Sequence, residues 1–453
     1  MNTRHHPNAN NNRLPGVCVC ALCYKNQRGQ RERERAGPDG FRCLGDRETR
    51  SERTMSLEEY DYIVVGAGVQ GSFTAYHLLD SRPGSKVLLL DQFPLPHSRG
   101  SSHGQSRITR RAYPELHYAL MMTDCFEAWD KLGRETGSTL YTRTGLLMLG
   151  PRGHPELEAT RRALEHVGAR HEDLEGEELA ARYPGLAFPP SAEGASTAAI
   201  LEPDGGVLHA QRAMSALWKR IEENGGRILD GLKVSAVSPG RRAVTVATGE
   251  GRGPRFAASA VVLAVGAWAG ALLSSLGLRL PLQPLRVNVC YWEEEQPGSY
   301  SAASGFPCVL DVASDLPHHV YSLPSHEYPG MLKVCYHYGT PVNPDARDLG
   351  AEGDTRDVEA LRAYVSRRFP GLVPTPAVVE TCMYTNTPDE NFILDRHPLH
   401  RNIVIGAGFS GHGFKLAPVV GKLLAEMATG DAPSFDLSPF AIARFHAKPK
   451  SSL

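Results

Sequence analysis

Three basic side chains close together in the first quarter of the sequence could bind an anionic ligand. His103, Arg107 and Arg110 follow one another at i, i+4 and i+7, so in a helix they would share one face. A guanidinium forms two parallel hydrogen bonds with a carboxylate, which suits such a face to a carboxylate ligand. The alternative is a solvated basic helix surface, which is the commoner setting for three basic residues considered alone.

A lysine and a histidine further along the chain could stabilise charge in a closed site. Residues 331–338 alternate with the period of a strand, which puts Lys333, Cys335 and His337 on one face. A Lys and a His on such a face could stabilise anionic oxygen species or orient a substrate. An exposed strand edge that carries Lys and His is the alternative.

A glycine-rich turn has the spacing of a dinucleotide-binding loop. Gly66, Gly68 and Gly71 follow the apolar run 62–65 and open a helical segment, and Asp91 comes 25 positions after Gly66. The glycines permit a tight turn and a close approach to a pyrophosphate, and the helix N-terminus offers free N–H groups. Asp91 is placed to accept hydrogen bonds from ribose hydroxyls, which disfavours NADP. The predicted nucleotide contacts are Gly66, Ala67, Gly68, Val69, Gln70, Gly71 and Asp91. The motif alone does not separate NAD from FAD.

A second glycine-rich loop follows the apolar run 402–406 and leads into an apolar helix over 416–427. The start of this helix could face the part of a flavin where negative charge develops on reduction. Gly408 and Lys415 in this segment are predicted cofactor contacts, and a loop that only reverses the chain is the alternative. Cys382, taken by itself, is typical of a small buried apolar residue.

Composition restricts the partners of the chain. The 453 residues have a formal net charge of −1 and 22% charged residues, so neither nucleic acid nor an anionic membrane is expected as a partner. The longest nearly unbroken apolar run, 260–273, is shorter than the ~18–20 residues that span a bilayer, and we expect a soluble protein. Cys18, Cys20 and Cys23 lack a second ligand pair at a zinc-like spacing, so no metal site is predicted.

The elements that must position these residues fall into two groups. Runs typical of buried parallel strands lie at 62–65, 86–90, 260–265 and 402–406. Runs typical of antiparallel strands lie at 285–292, 319–323 and 331–338. The predicted fold class is α/β: a Rossmann-like nucleotide-binding domain with an inserted, mostly antiparallel β-sheet substrate domain. The predicted boundaries are 1–54 for a disordered extension with few apolar residues, 57–142, 203–280 and 385–440 for the nucleotide-binding domain, 143–202 and 281–384 for the substrate domain, and 441–453 for a C-terminal tail.

Three long strings of residues, 97–107, 382–392 and 406–422, resemble the monomeric sarcosine oxidase family, most closely its animal, peroxisomal branch. The similarity covers residues 57–445. It implies a glutathione-reductase-like fold that binds FAD rather than NAD. It also implies a thioether between Cys382 and the flavin 8α-methyl group, an 8α-S-cysteinyl link.

The resemblance assigns roles to the residues singled out above. Arg110 and Lys415 correspond to the pair that binds the substrate carboxylate, His337 to the histidine of the substrate pocket, and Lys333 to the oxygen-activating lysine. The remaining matched residues are Tyr384 in the aromatic wall and His103 and Arg107 near the flavin ring. Under this resemblance, both the basic segment and the Lys/His strand become elements of a site.

The implied activity is oxidation of the C–N bond of sarcosine, L-pipecolate or L-proline to an imine by a monomeric enzyme, with O2 reduced to hydrogen peroxide. An amine dehydrogenase of the same fold, which passes electrons to another flavoprotein, is the alternative. A peroxisomal location is expected, with an import receptor as the partner of the C-terminus. The terminal tripeptide departs from the Ser-Lys-Leu type at Ser452.

Overall fold

The computed structural model describes residues 57–189, 194, 196–348 and 355–445. The predicted extension 1–54 and the C-terminal tripeptide lie outside the described residues. The strands are β1 Glu58–Val65, β2 Val87–Leu90, β3 Ser106–Thr109, β4 Tyr141–Arg143, β5 Leu146–Pro151, β6 Glu172–Glu175, β7 Thr197–Glu202, β8 Gly206–His209, β9 Arg227–Leu229, β10 Val234–Ser238, β11 Val244–Thr248, β12 Arg255–Leu263, β13 Gln283–Glu294, β14 Cys308–Asp311, β15 Val320–Pro324, β16 Met331–Tyr336, β17 Thr340–Pro341, β18 Leu372–Asn386, β19 Ile393–Arg396 and β20 Ile403–Ala407. The α-helices are α1 Val69–Ser81, α2 Leu116–Thr136, α3 Pro155–His166, α4 Gly176–Arg182, α5 Ala210–Glu223, α6 Ala269–Ser275, α7 Arg356–Arg368 and α8 Gly413–Thr429.

An eight-stranded sheet carries the first glycine loop at the carboxyl end of β1. Its strand order is β10-β11-β12-β1-β2-β9, and β20 pairs with both β12 and β19. β2, β1, β12 and β20 run parallel. Strands of a parallel sheet are covered on both faces, which explains their continuous runs of Val, Ile and Leu. α1 and α8 pack closely beside this sheet: a Cβ on Gly421 would lie 2.4 Å from the Cβ of Phe73.

A nine-stranded sheet carries Lys333. Its order is β17-β13-β16-β15-β14-β5-β7-β6, with β18 paired to β13. Its described pairings are antiparallel except for the pairing of β14 with β5. On β16, Leu332 and Val334 join one hydrophobic cluster, whereas Cys335 packs with Tyr291 in another. The alternation predicted for Lys333 and Cys335 is therefore confirmed, whereas His337, predicted on the same strand face, lies one residue beyond the end of β16.

The predicted fold class is also confirmed. β1, α1 and β2 form the expected βαβ unit, and the expected antiparallel strands are β13, β15 and β16. The strands of the first sheet come from residues 58–90, 227–263 and 393–407, and those of the second from 146–202 and 283–386. The domain boundaries stay a prediction.

The segment around residue 105 is not helical, so the expected helical face is wrong. Bends and turns occupy most of 98–105, and β3 pairs antiparallel with β8. Gly104 has φ +89, a left-handed conformation that interrupts a helix. Ile108 and Thr109 are β-branched and favour a strand. A loop and a short strand therefore position His103, Arg107 and Arg110.

Among the described residues, no helix has both the length and the apolar character that a membrane crossing requires. The same residues contain no group of three or more His, Cys, Asp or Glu placed to hold a metal ion.

Candidate active site

A cavity of about 1080 Å³ extends from the first glycine loop to β18. It is slightly larger than the usual range of small-molecule and cofactor sites, roughly 300–1000 Å³, so it has room for a dinucleotide. The predicted site residues that line it are Gly66, Ala67, Gly68, Val69, Gln70, Asp91, His103, Arg107, Cys382 and Tyr384.

The glycine loop has a shape that a side chain would destroy. Gly66 has φ +102, and a Cβ there would lie 2.4 Å from the carbonyl oxygen of Ala264. A Cβ on Gly71 would lie 1.9 Å from the carbonyl oxygen of Gly66. α1 begins at Val69, whose N–H donates to Ser102 Oγ at 3.0 Å, and Val69 and Gln70 both line the cavity. The remaining N–H groups of the first turn have no acceptor within the helix and lie at the cavity wall. This arrangement fits the pyrophosphate of a dinucleotide.

Asp91 ends the strand β2 and fixes the glycine loop. Its Oδ2 accepts a hydrogen bond from Ala67 N at 2.8 Å, and its Oδ1 accepts one from Phe93 N at 3.0 Å. Oδ1 is also 3.3 Å from His97 Nε2. A carboxylate has about four acceptor positions, so capacity remains for a ribose hydroxyl. Gln70 Oε1, on the first turn of α1, is buried with no hydrogen-bond partner among the described residues. A bound nucleotide could supply the missing donor, and the residues present therefore fit FAD.

Arg107 organises the loop that precedes β3. Its guanidinium donates to the carbonyl oxygens of Ser101 at 3.0 Å, His103 at 2.5 Å and Ser106 at 2.8 Å. Its Cζ lies 5.4 Å from the centre of the Phe414 ring. One side chain that binds three carbonyl groups holds the loop in a single shape at the cavity wall.

Cys382 lies on β18 beside this loop. Its Sγ is 3.8 Å from the carbonyl oxygen of Ser101, and His103 Nε2 is 3.0 Å from the carbonyl oxygen of Thr381. Of the five cysteines in the described part of the chain, four are buried and Cys382 is partly exposed. It lines the cavity, so a cofactor there could reach its sulfur.

Arg110 and Lys415 converge on Tyr113. Lys415 Nζ is 3.3 Å from the Tyr113 hydroxyl oxygen, and Arg110 Cζ is 4.0 Å from the centre of the Tyr113 ring. Burial and the charge of Arg110 hold the pKa of Lys415 well below its ordinary value. Arg110 Nη1 is buried with no hydrogen-bond partner among the described residues. Two adjacent cations with an unused donor are suited to an anion from outside the protein.

His337 and Tyr384 form one wall next to the second glycine loop. Their ring centres are 5.2 Å apart, and the Tyr384 hydroxyl is 3.5 Å from that of Tyr321. Gly411 has φ +78, and a Cβ there would lie 2.5 Å from His337 Cε1 and 2.6 Å from Tyr384 Cε2. Burial, assisted by the nearby His319 and Lys415, lowers the pKa of His337 to about 3. The imidazole is therefore neutral at physiological pH.

Lys333 is buried on β16, with 4% of its surface exposed. Its Nζ lies 3.4 Å from both the carbonyl oxygen and the Oγ of Ser106 and 5.5 Å from the centre of the Tyr291 ring. Burial lowers the pKa of Lys333, as does the charge of Arg107. Lys333 therefore lies behind the loop that Arg107 holds.

Sequence reasoning missed several residues of this site, and three predicted cofactor contacts, Gly71, Gly408 and Lys415, lie outside the described cavity lining. Three missed residues lie next to features that the sequence did show. Tyr113 directly follows the basic segment, Tyr321 lies on a predicted strand, and Ser106 adjoins Arg107 in the string 97–107. Gly408 packs against Thr387: a Cβ on Gly408 would lie 2.5 Å from Thr387 Cγ2. Gly408 is not among the residues that line the described cavity. Its φ of +66 shows that it shapes the turn.

Comparisons with known proteins identify the family. The family model "FAD dependent oxidoreductase" matches residues 61–427. The chain belongs to this family. The peroxisomal sarcosine oxidase of Mus musculus is 49% identical over 396 residues, which cover 87% of this chain and 98% of that protein. The monomeric sarcosine oxidase of Arthrobacter sp. is 36% identical over 406 residues, which cover 88% of this chain and 100% of that protein. This FAD-dependent oxidoreductase is thus a flavin-dependent amine oxidase, and the predicted resemblance is confirmed.

Solved structures agree on the fold. The L-proline dehydrogenase of P. horikoshii superposes with a TM-score of 0.71 at 21% identity, over 86% of this chain and 99% of that one. The glycine oxidase of Geobacillus kaustophilus superposes with a TM-score of 0.69 at 20% identity, over 86% and 99%. The prediction of FAD rather than NAD is confirmed by the family, whereas the roles of individual site residues stay predictions.

Proposed function

We propose that this FAD-dependent oxidoreductase oxidises the C–N bond of a small secondary amino acid, namely sarcosine, L-pipecolate or L-proline, and passes the electrons to O2. The products are an imine and hydrogen peroxide. The observation that carries the proposal is the buried pair of Arg110 and Lys415, with an unused guanidinium donor, next to the neutral His337. This site suits a ligand that combines a carboxylate with an amine.

The glycine loop, the N-terminus of α1 and Asp91 would hold the pyrophosphate and ribose of FAD. When bound, FAD accepts a hydride equivalent from the amine carbon and later returns two electrons to O2. We propose that Cys382 forms a thioether with the 8α-methyl group, because its sulfur is partly exposed in the cavity whereas the other four described cysteines are buried.

Arg110 and Lys415 would clamp the substrate carboxylate and so fix the position of the reacting C–N bond. An oriented substrate reacts as if at a very high local concentration, so a clamp contributes to rate as well as to affinity. The carboxylate would also remove the repulsion between the two cations, whose mutual effect is already visible in the lowered pKa of Lys415.

His337 would contact the amine as a neutral imidazole, because its pKa is about 3. A neutral partner leaves the amine free to be unprotonated, which hydride loss requires. Tyr384 and His337 together wall the pocket on the Gly411 side, where no atom larger than hydrogen fits on the glycine Cα. The pocket is therefore shaped for a small substrate on this side.

Lys333 would stabilise the anionic oxygen species that forms as O2 takes up electrons. A fixed cation in a water-poor site stabilises developing negative charge far better than the same charge in water. Its burial on β16 and its contacts with Ser106 keep the ammonium in one position.

The test is peroxide release by the purified holoenzyme with sarcosine, L-pipecolate and L-proline, in parallel with anaerobic bleaching of the flavin. We expect bleaching by at least one of the three amino acids and rapid recovery of colour in air with stoichiometric peroxide. Bleaching without rapid recovery in air would favour the dehydrogenase instead. Absence of bleaching with all three would refute the proposal.

We further propose that the enzyme is a monomer in the peroxisome, imported by a receptor that reads Ser451-Ser452-Leu453. Relatives described as monomeric and as peroxisomal sarcosine oxidases support this. Light scattering of the holoenzyme tests the mass. Imaging of a fluorescent fusion that ends in this tripeptide tests the location, and a diffuse cytosolic signal would contradict it. The two-domain division predicted above is retained as part of the same proposal.

A further inference from the structure

A carboxylate that is not part of the described cavity lining lies close enough to Lys333 to affect its pKa. Glu327 belongs to the hairpin loop between β15 and β16. Its Oε1 accepts hydrogen bonds from Ser106 Oγ at 2.7 Å and from Tyr291 Oη at 2.9 Å, and its Oε2 accepts one from His326 N at 3.1 Å. Three donors on a half-buried carboxylate hold it in its ionised form.

The Ser106 hydroxyl joins this carboxylate to Lys333. A serine has one hydroxyl hydrogen, and the 2.7 Å contact directs it to Glu327. The oxygen lone pairs are then left for Lys333 Nζ, which lies 3.4 Å from Oγ and 3.4 Å from the Ser106 carbonyl oxygen. The direction of donation is thereby fixed, from the ammonium to the hydroxyl and from the hydroxyl to the carboxylate.

The contacts that join Lys333 through Ser106 to Glu327 matter for the protonation of Lys333 because of the other groups around it. The groups that face it are Cys335 on its own strand, Arg107 on β3, Cys382 on β18, Tyr291 on β13 and Glu327 in the hairpin loop. Among these groups Glu327 carries a negative charge, whereas Arg107 carries a positive charge as Lys333 does. A buried lysine in such surroundings tends to lose its proton. Glu327 opposes that tendency, and Lys333 in turn lowers the pKa of Glu327 despite its burial.

We infer that Glu327, acting through Ser106, is a positioning residue that keeps Lys333 protonated and oriented for the reaction with O2. The inference rests on the proposed function in assigning that reaction to Lys333. Glu327 itself touches neither substrate nor cofactor, and no proton needs to move along the chain of contacts. What Glu327 supplies is a permanent counter-charge.

The neighbouring Glu380 provides a matched control. It lies on β18, accepts a hydrogen bond from Tyr328 Oη at 2.7 Å, and is 3.5 Å from Tyr291 Oη. It therefore borders the same tyrosine as Glu327 and is not among the groups with the largest effect on the pKa of Lys333. Glu380→Gln removes a carboxylate of the same type from the same region without changing the proposed counter-ion.

The first measurement separates the two halves of turnover in stopped flow at pH 8. In Glu327→Gln we expect flavin bleaching by the amino acid within twofold of wild type, and recovery with O2 slowed by a factor that rises to about ten at pH values above the pKa of Lys333, where the loss of one pKa unit lowers its protonated fraction tenfold. Ser106→Ala should slow recovery likewise, Ser106→Thr should restore it, and Glu380→Gln should match wild type. Equal recovery rates in Glu327→Gln and wild type would overturn the inference.

The second measurement does not depend on turnover. In oxidised holoenzyme labelled with 15N-lysine, the Nζ signal of Lys333, assigned with Lys333→Met, reports its protonation. We expect it to titrate about one pH unit lower or more in Glu327→Gln, and at the wild-type pH in Glu380→Gln. An unchanged titration in Glu327→Gln would refute the inference while leaving the proposed function intact. Wild-type enzyme that none of the three amino acids bleaches would refute the proposed function, and the titration would still decide whether Glu327 is the counter-charge of Lys333.

Discussion

Arg110→Met should weaken the binding of carboxylate ligands strongly while leaving the folded protein as stable as before. Arg110 lies on Tyr113 with a buried Nη1 that has no partner among the described residues, so its donors are free for a ligand. A hydrogen bond to a charged group contributes roughly 1.5–3 kcal/mol, and a forked guanidinium makes two. Lys415 remains and keeps part of the attraction, so we expect a loss of about 3–4 kcal/mol, or roughly 10²–10³-fold in affinity.

Arg110→Met should not lower the melting temperature of the ligand-free protein, unlike most substitutions that remove an arginine. Burial lowers the pKa of Lys415 and the charge of Arg110 lowers it further, so Arg110 repels a protonated Lys415 in the ligand-free protein. Removal of one relieves this repulsion, and the melting temperature of ligand-free Arg110→Met should be equal to or above that of wild type. Arg111→Met is the matched control: that guanidinium stacks on Phe126 and lies 3.9 Å from the buried Glu202. It should lower the melting temperature without changing affinity for carboxylates.

The assay is titration of the oxidised holoenzymes with acetate, followed by the flavin absorption spectrum, together with anaerobic bleaching by sarcosine and by dimethylamine, which lacks the carboxylate. Arg110→Met should lose acetate binding and bleach slowly with sarcosine, while its weak reaction with dimethylamine stays at the wild-type rate. Wild-type affinity for acetate in Arg110→Met would refute the carboxylate clamp. A melting temperature several degrees below wild type would refute the account of repulsion.

The remaining predictions concern the cofactor link, the pocket wall and the pH dependence of binding. Denatured wild-type protein should keep its yellow colour through ultrafiltration, and Cys382→Ser should release FAD; free release by wild type would exclude the thioether. Gly411→Ala should lower kcat/KM at least tenfold with intact FAD content, because the new Cβ would lie 2.5 Å from His337 Cε1 and φ +78 adds strain of about 1–2 kcal/mol; unchanged kinetics would show that the pocket is not built on this glycine. A bound carboxylate should raise the depressed pKa of Lys415, so the complex holds more protons than the free enzyme. Acetate affinity should therefore be greatest at low pH and fall as pH rises above the pKa of free Lys415, and calorimetry in two buffers should show proton uptake that Lys415→Met abolishes.

The sequence predicted those parts of the molecule that depend on local pattern. Continuous apolar runs identified β1 and β2, and the glycine spacing identified the turn between β1 and α1, because both reflect short-range backbone constraints. The alternation on β16 placed Lys333 and Cys335 correctly for the same reason. The helical reading of the His103 segment failed because charge spacing was weighed above Gly104 and the β-branched residues 108 and 109, which are stronger determinants of backbone shape.

The unpredicted contacts join residues far apart in the chain. Ser106 and Glu327 are 221 positions apart, and Tyr113 and Lys415 are 302 apart. Neither pair has a periodicity that a single sequence could reveal, since each depends on how elements far apart in the chain pack together. The family resemblance assigned roles to Lys333 and Lys415, but it did not indicate which residues hold their side chains in position.

The two groups of buried cations differ in whether the protein supplies their counter-charge, and this difference supports the role proposed for each group. Lys333 has Glu327 behind it through Ser106, so its charge is balanced whether or not a ligand is present. Arg110 and Lys415 have a tyrosine between them, and among the described residues Arg110 keeps an unused donor. A cation with a built-in counter-ion can stay charged while an anion forms and leaves beside it, as reaction with O2 requires. A pair without one gains most when a carboxylate arrives, so it selects substrates that bring their own negative charge.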